Sequence, residues 1–251
     1  MATVLMPLPS RDFDPTESGV PWRLLSERGH RVVFATPDGK PAQADPRMLD
    51  GKGLGLLKPF LAADRHGRVA HAAMAASAAF NAPLRYEQIH WPEFDGLLLP
   101  GGHAPGMREY LESHILHGVT SAMFAANKPV GAICHGVVLV ARSLGADGLS
   151  VLHGRQTTAL LQSQELLAWN LTRAWLGSYY RTYPQTVQAE VTEALASPDD
   201  FITGPLPLRR DTPGKLRSGF ALRDGNFLSA RWPGDAHRFA ETFCALLATS
   251  R

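Results

Sequence analysis

The chain has 251 residues, of which 45% are hydrophobic and 19% are charged, and its 25 basic residues nearly balance its 23 acidic ones. This length and apolar content are sufficient for one large α/β domain with a substantial core. The balanced charge argues against an electrostatic surface for nucleic acid or for an anionic membrane. We therefore expect neither a nucleic-acid partner nor a membrane partner.

The N-terminus and the cysteine count bear on the cellular compartment. Residues 1–6 lead into a strand-like run with no basic leader, and no apolar run reaches the roughly 20 residues that a membrane span needs. The two cysteines, Cys134 and Cys244, lie far apart in sequence, which argues against a disulfide framework. These features predict a soluble protein of a reducing compartment, and we expect a cytoplasmic location.

The first half of the chain predicts strands that alternate with helices. A strand over 4–6 leads into a loop rich in Pro, Ser and Asp, then into a helix over 21–28 and a strand over 31–36. Residues 40–82 mix a Gly-rich loop with an Ala-rich helical run, and we interpret them as an insertion packed on the sheet. Two further strand–helix pairs follow. The alternation predicts right-handed crossovers and a mostly parallel sheet.

The C-terminal part continues this pattern less regularly, and it contains no linker of low complexity. We therefore predict one domain over residues 1–251. The predicted elements, in chain order, are a strand over 156–160, a helix over 164–176, a strand over 187–191, a strand over 225–230 and a helix over 235–248.

Two strand-to-turn transitions carry the reactive residue types. Residues 95–103 read Asp-Gly-Leu-Leu-Leu-Pro-Gly-Gly-His, and residues 128–136 read Lys-Pro-Val-Gly-Ala-Ile-Cys-His-Gly. The second is typical of a nucleophile elbow, in which small residues around the nucleophile allow a sharp turn. The helix that follows should favour a thiolate. Cys134 is therefore predicted to be a reactive nucleophile, whereas Cys244 on an apolar helix is predicted to be structural.

These motifs resemble the DJ-1/PfpI superfamily. Within it they resemble the heat-shock-protein-31-like branch, which includes glutathione-independent glyoxalases and class I glutamine amidotransferase-like proteins. The resemblance covers residues 4–246 and implies a flavodoxin-like three-layer α/β sandwich, with the insertion as a cap segment. A homodimer is common in the superfamily, and the sequence leaves the oligomeric state open. The resemblance rests on the turn over 98–103, the elbow over 132–136, Glu17 twelve residues before Gly29, and Glu165 eleven residues after Gly154.

The resemblance also implies roles for individual residues. Cys134, His135 and Glu165 would form a Cys-His-Glu triad, in which the carboxylate orients the imidazole and the imidazole takes the thiol proton. Glu17 would lie buried and protonated beside Cys134, and its hydrogen bond would lower the pKa of the thiol.

Two further residues complete the predicted site. The backbone N–H of Gly102 would act with that of His135 on an oxyanion, and His103 would line the mouth of the pocket. The zinc-binding residues of some chaperone relatives do not map onto this sequence. We therefore assign no metal site and expect no cofactor.

The function implied by the resemblance is that of a glyoxalase III-like lyase. Such an enzyme converts methylglyoxal or glyoxal and water to a 2-hydroxy acid without glutathione, and its partner is a small carbonyl substrate. Two alternatives stay open. One is a hydrolase, amidotransferase-like or deglycase enzyme on the same triad, which would not form lactate from methylglyoxal. The other is a stress-response chaperone with a redox-sensing thiol, which would protect a client equally well after Cys134→Ala.

Overall fold

The computed structural model of the protein describes residues 1–249. The central strands are continuous runs of buried apolar residues, as strands covered on both faces require. The strands of the described residues are β1 (Thr3–Pro7), β2 (Arg11–Phe13), β3 (Arg31–Thr36), β4 (Gln43–Ala44), β5 (Leu84–Arg85), β6 (Gly96–Leu99), β7 (Val130–Ile133), β8 (Ala221–Asp224) and β9 (Phe227–Ala230).

Seven of these strands form one sheet in the order β5-β3-β1-β6-β7-β9-β8. Neighbouring strands are parallel except for the β8–β9 hairpin. The chain builds one half of the sheet outward from β1 and then returns to the centre to build the other half from β6. Open parallel sheets bind ligands where the strand order reverses, at the carboxyl ends of the strands. The crevice beyond β1 and β6 is therefore the expected place for a site.

Two groups of helices flank the sheet. The predicted flavodoxin-like α/β fold with a mostly parallel sheet is confirmed. Among the described residues, no helix combines the length and apolarity needed to cross a membrane. The α-helices of the described residues are α1 (Pro15–Glu27), α2 (Pro46–Asp50), α3 (Lys58–Leu61), α4 (Arg65–Ala75), α5 (Ala78–Asn81), α6 (Arg108–Leu111), α7 (His114–Ala125), α8 (Gly136–Ala141), α9 (Gln162–Leu176), α10 (Val187–Glu193) and α11 (Ala236–Thr249). Helices α1, α4 and α11 pack together in one group, and α6, α7 and α10 pack around α8 in the other.

Helix α1 begins six residues before its predicted start. The Asp14 side chain accepts hydrogen bonds from the backbone N–H groups of Thr16 (2.7 Å) and Glu17 (2.9 Å), and Pro15 occupies the first helical position. Both features favour a helix N-terminus. The predicted loop is therefore a capped helix start, and it holds Glu17 in the first turn.

Two of the strands predicted in the C-terminal part are not strands in the described structure. Residues 156–160 form no strand in the described structure, and Thr157 makes only an isolated bridge with Phe201. Residues 187–191 belong to helix α10, because the Thr186 hydroxyl caps the N–H of Ala189 at the helix start. A short apolar run does not distinguish a strand from a helix by periodicity alone.

The predicted insertion over residues 40–82 contains β4 and helices α2 to α5. Strand β4 pairs with β2 in a separate two-stranded sheet, and α4 packs closely on α1. A Cβ atom added at Gly19 of α1 would lie 2.7 Å from the backbone nitrogen of His71 in α4. Helix α3 and its neighbours extend over the carboxyl end of the sheet, where they line the cavity described below.

The turn between β7 and α8 is packed tightly against the end of β6, which leads to a test of stability. A Cβ atom at Gly136 would lie 2.2 Å from the backbone oxygen of Leu99. We expect Gly136→Ala to lower the free energy of unfolding by roughly 1–3 kcal/mol, because overpacking displaces the helix or the strand end. Urea denaturation measures this change.

Gly118→Ala is the matched control for this substitution. Gly118 lies in α7, and a Cβ atom there would meet nothing within 4 Å. Alanine should raise the free energy of unfolding by about 0.5–1 kcal/mol, because it is the better helix former. Equal effects of the two substitutions would contradict the tight packing at the turn.

Candidate active site

Cys134 lies between β7 and α8 in a strained backbone conformation. Its φ angle is 58°, in the left-handed region that costs an L-residue roughly 1–2 kcal/mol. The turn carries the side chain to the carboxyl edge of the sheet, where the residue is 4% exposed and lines a cavity of about 540 Å³. The elbow geometry predicted from the sequence is therefore present, and the sulfur lies at a buried end of an accessible cavity.

The imidazole of His135 bridges the thiol and a threonine hydroxyl. Its Nδ1 atom lies 3.5 Å from the Cys134 sulfur, and its Nε2 atom lies 3.1 Å from Thr182 Oγ1. The Thr182 hydroxyl has one proton, which it donates to the backbone oxygen of His103 at 2.7 Å. Thr182 Oγ1 must therefore accept the hydrogen bond from the imidazole. It follows that neutral His135 carries its proton on Nε2, and that the lone pair on Nδ1 faces the thiol.

The predicted contact between Glu165 and the imidazole is wrong. One carboxylate oxygen of Glu165 accepts from the backbone N–H of Val187 at 2.9 Å, and the other lies 3.3 Å from Arg181 Nε. The carboxyl group thus faces the N-terminus of α10, and burial raises its pKa to about 7 although the Val187 N–H and Arg181 act in the opposite direction. Glu165 holds both ends of the segment that carries Thr182, and it lines the cavity.

Burial sets the protonation state of the thiol–imidazole pair. Burial lowers the pKa of His135 to about 3, and it raises the pKa of the Cys134 thiol, with a further increase from the negative charge of Asp14. The backbone N–H of His135 acts on the sulfur in the opposite direction. The predicted lowering of the thiol pKa is therefore wrong for the unliganded site. The pair rests as a neutral thiol beside a neutral imidazole.

Glu17 is fully buried, as predicted, and its carboxyl group interacts with Cys134. Its Oε2 atom lies 2.9 Å from the N–H of Gly101, whereas Oε1 has no hydrogen-bond partner within the described chain. Burial raises the pKa of Glu17 well above its ordinary range, with a further increase from Asp14. Burial therefore favours the protonated form of the carboxyl group. Its O–H can donate to a sulfur that becomes negative during a reaction.

Gly102 follows strand β6 at the edge of the same cavity. Its φ angle is 151°, and a Cβ atom there would lie 2.6 Å from the backbone oxygen of Asp12, so that only glycine fits. Its backbone N–H donates to no acceptor in residues 1–249. This donor is available to a substrate oxygen, and its action on an oxyanion together with the N–H of His135 stays a prediction.

His103 lines the cavity at 8% exposure, and its ring stacks on Tyr180 with a centroid separation of 4.4 Å. Burial lowers its pKa to about 4, so the ring is neutral. Its Nε2 atom has no hydrogen-bond partner in the described chain, nor have several other polar atoms of residues that line the cavity. Those atoms are Glu17 Oε1, Gln164 Oε1, Tyr180 Oη, Arg210 Nη1 and Trp232 Nε1.

Thr182 and Asp14 were not predicted from the sequence as members of the site. Thr182 is separated from His135 by 47 residues and lies in an irregular segment, so no local pattern marks it. Asp14 had a local signal, because Asp-Pro before a helix is a typical N-cap. Within residues 1–249, no group of three His, Cys, Asp or Glu side chains is placed to hold a metal ion.

Comparison with known families agrees with this geometry. The family model described as ThiJ/PfpI family-like matches residues 8–205. The chain belongs to the ThiJ/PfpI family. The resemblance to the DJ-1/PfpI superfamily inferred from the turn and the elbow is thereby confirmed.

Relatives of this ThiJ/PfpI chain include enzymes. A deglycase from Pyrococcus abyssi is 27% identical over 152 residues, which cover 61% of this chain and 69% of that protein. A glutathione-independent glyoxalase from Schizosaccharomyces pombe is 24% identical over 151 residues, which cover 59% and 58%. The solved structure of glyoxalase III from Candida albicans superimposes with a TM-score of 0.65 at 16% identity, over 98% of this chain and 97% of that one. The sequence relatives support an enzyme of this family, and the structural match supports the fold.

The protonated state of Glu17 can be tested by titrating the thiol. Glu17→Gln keeps a neutral hydrogen-bond donor beside the sulfur, whereas Glu17→Ala removes it. We expect the pKa of Cys134 to be higher in the alanine variant than in the glutamine variant, because a donor stabilises the thiolate. The ultraviolet absorbance of the thiolate against pH measures both values. Equal titrations would contradict a donor role for Glu17.

Proposed function

We propose that the protein is a cysteine-dependent, glyoxalase III-like enzyme that converts a 2-oxoaldehyde and water to a 2-hydroxy acid without glutathione. The observation that carries the proposal is the Nδ1 lone pair of His135, which faces the thiol of Cys134, a residue that lines the cavity, 3.5 Å away. This arrangement couples thiol addition to proton transfer. The glyoxalase relatives support the same reaction class.

Addition of the thiol to the aldehyde is the first step. The sulfur bonds to the aldehyde carbon while Nδ1 of His135 takes the thiol proton and returns it to the former carbonyl oxygen, which gives a neutral hemithioacetal. The free N–H of Gly102 stabilises the oxygen while it is negative. The Glu17 O–H does the same for sulfur. The step does not require a thiolate in the unliganded enzyme, in agreement with the raised pKa of the thiol.

A proton shift completes the rearrangement. His135 removes the hydrogen from the hemithioacetal carbon to form an enediolate. The hydroxyl proton on the first oxygen passes to the neighbouring former ketone oxygen, and His135 then protonates the carbon that was the ketone. The product of this shift is a thioester of the 2-hydroxy acid on Cys134. Water hydrolyses the thioester, which releases the acid and regenerates the thiol. One water is consumed overall and no external oxidant or reductant is required.

The threonine behind His135 favours this reaction over amide hydrolysis. Amide cleavage must protonate a leaving amine, and enzymes that use a triad stabilise the imidazolium with a carboxylate. Thr182 offers a neutral oxygen instead, and burial disfavours the imidazolium. In aldehyde addition, His135 returns the proton to the substrate within the same step. The His135 imidazolium therefore exists only for a short time. Deglycase activity remains the second candidate, because relatives carry that name.

Product analysis with a nucleophile variant tests the proposed reaction. We expect purified protein to form lactate from methylglyoxal without glutathione, and Cys134→Ala to abolish turnover while leaving the circular dichroism spectrum unchanged. Conversion by the alanine variant at the wild-type rate would exclude Cys134 from the mechanism. A wild-type protein that forms no 2-hydroxy acid from any dicarbonyl would contradict the proposed function.

A pair of substitutions tests the group behind the imidazole. Thr182→Val removes the oxygen that fixes the Nε2–H tautomer, and we expect kcat/KM to fall roughly tenfold to a hundredfold, as it does when groups that orient an imidazole are removed. Glu165→Gln keeps the acceptor for the Val187 N–H and should stay within about threefold of the wild type, since one retained hydrogen bond preserves the segment. If Glu165→Gln lowered kcat/KM strongly and Thr182→Val did not, the Glu165 carboxylate would have to take part in the proton transfer.

A further inference from the structure

We propose that the substrate carries an apolar tail, so that the preferred 2-oxoaldehyde is an alkyl or aryl glyoxal larger than methylglyoxal. This inference rests on the proposed function for the reactive end of the substrate. The tail itself is inferred from the shape and lining of the cavity. At about 540 Å³ the cavity lies within the range of about 300–1,000 Å³ that is typical of sites for drug-sized ligands, and methylglyoxal would leave most of it unfilled.

Helix α9 lines the cavity with a gradient from polar to apolar. Gln164 and Glu165 in its first turn are followed on the same face by Leu167, Ala168 and Leu171, and all five line the cavity. With a rise of about 1.5 Å per residue, this row extends about 10 Å along the helix. The polar groups near Cys134 and the apolar row on α9 therefore face one continuous space.

Two other segments continue the apolar lining. Helix α3 and the preceding turn contribute Leu57 and Phe60, and the segment before Arg210 contributes Leu208. Phe60 is 73% exposed, Leu171 is 47% exposed and Leu208 is 80% exposed. Exposed apolar side chains that gather around one opening are typical of a binding surface rather than of scattered surface residues. We call this set the apolar wall: Leu57, Phe60, Leu167, Leu171 and Leu208.

Hydrogen bonds fix the parts of the apolar wall to each other. The indole N–H of Trp175, in the last turns of α9, donates to the backbone oxygen of Gly53 at 2.8 Å. Arg210 Nη2 donates to the backbone oxygens of Phe60 and Ala62 at 3.2 and 3.0 Å. These bonds join α9 to the turn before α3, and α3 to the segment that carries Leu208. The segments of the apolar wall are therefore held in place relative to each other. Together they form a surface on which a tail that extends from the sulfur can pack.

A series of glyoxals with increasing tail length tests the inference. We expect kcat/KM to rise from methylglyoxal through propylglyoxal to hexylglyoxal by about twofold per methylene, or roughly thirtyfold over the series, because each methylene buries part of its surface on the apolar wall. Leu171→Gln should reduce the hexyl-to-methyl ratio by about fivefold or more. Ile115→Gln is the matched control, because Ile115 is 41% exposed on α7 and does not line the cavity. It should keep the wild-type ratio.

A binding measurement separates this inference from the proposed function. In Cys134→Ala, calorimetry should show that 2-hydroxyoctanoate binds more tightly than lactate, and that Leu171→Gln weakens this preference. If no glyoxal is turned over but this preference is present, the proposed reaction fails and the tail site stands. If glyoxals are turned over but rates and affinities do not change with tail length, the tail inference is overturned. It is also overturned if Leu171→Gln only dissociates a dimer, which would assign the apolar wall to a second copy of the chain.

Discussion

The hydrogen bond from the Thr182 hydroxyl to the carbonyl oxygen of His103 determines the direction of the hydrogen bonds around His135. Because that single proton is committed to a backbone oxygen, the hydroxyl can only accept from His135. The imidazole then keeps its basic nitrogen towards Cys134. A backbone carbonyl thus fixes a tautomer two groups away, without a buried charge. Glu165 contributes indirectly, because it holds the segment that carries Thr182.

The sheet supplies the close approach that this chemistry needs. The elbow follows β7 and the Gly101-Gly102 turn follows β6, so both lie at the carboxyl edge, next to the capped start of α1. A Cβ atom at Gly101 would lie 2.7 Å from Glu17 Oε2 and 2.9 Å from the Cβ atom of Cys134. The missing side chain is what allows the carboxyl group and the cysteine to meet. The residues around Cys134 are packed too closely for its strained backbone to relax.

The sequence was sufficient for the parts of the site that are local. The elbow around Cys134 and the turn at Gly102 follow from residue types at fixed spacing, because a sharp turn next to a buried strand admits few alternatives. The partner of His135 was predicted wrongly, since it depends on how an irregular segment returns to the cavity. Helix α10 was taken for a strand because its apolar run is short. The predicted direction of the shift in the thiol pKa was also wrong. Burial raises this pKa by more than the N-terminus of the six-residue helix α8 lowers it.

The balance of charge around the sulfur explains why a neutral thiol is compatible with reactivity. Asp14 accepts from two backbone N–H groups at the start of α1, and although burial raises its pKa to about 6, it is ionised at neutral pH. A second negative charge on Cys134 is opposed by burial and by this carboxylate. A reaction that forms the carbon–sulfur bond as the proton leaves never develops that charge fully. The proposed aldehyde substrate accepts the sulfur and the proton together, so its addition is compatible with the buried site.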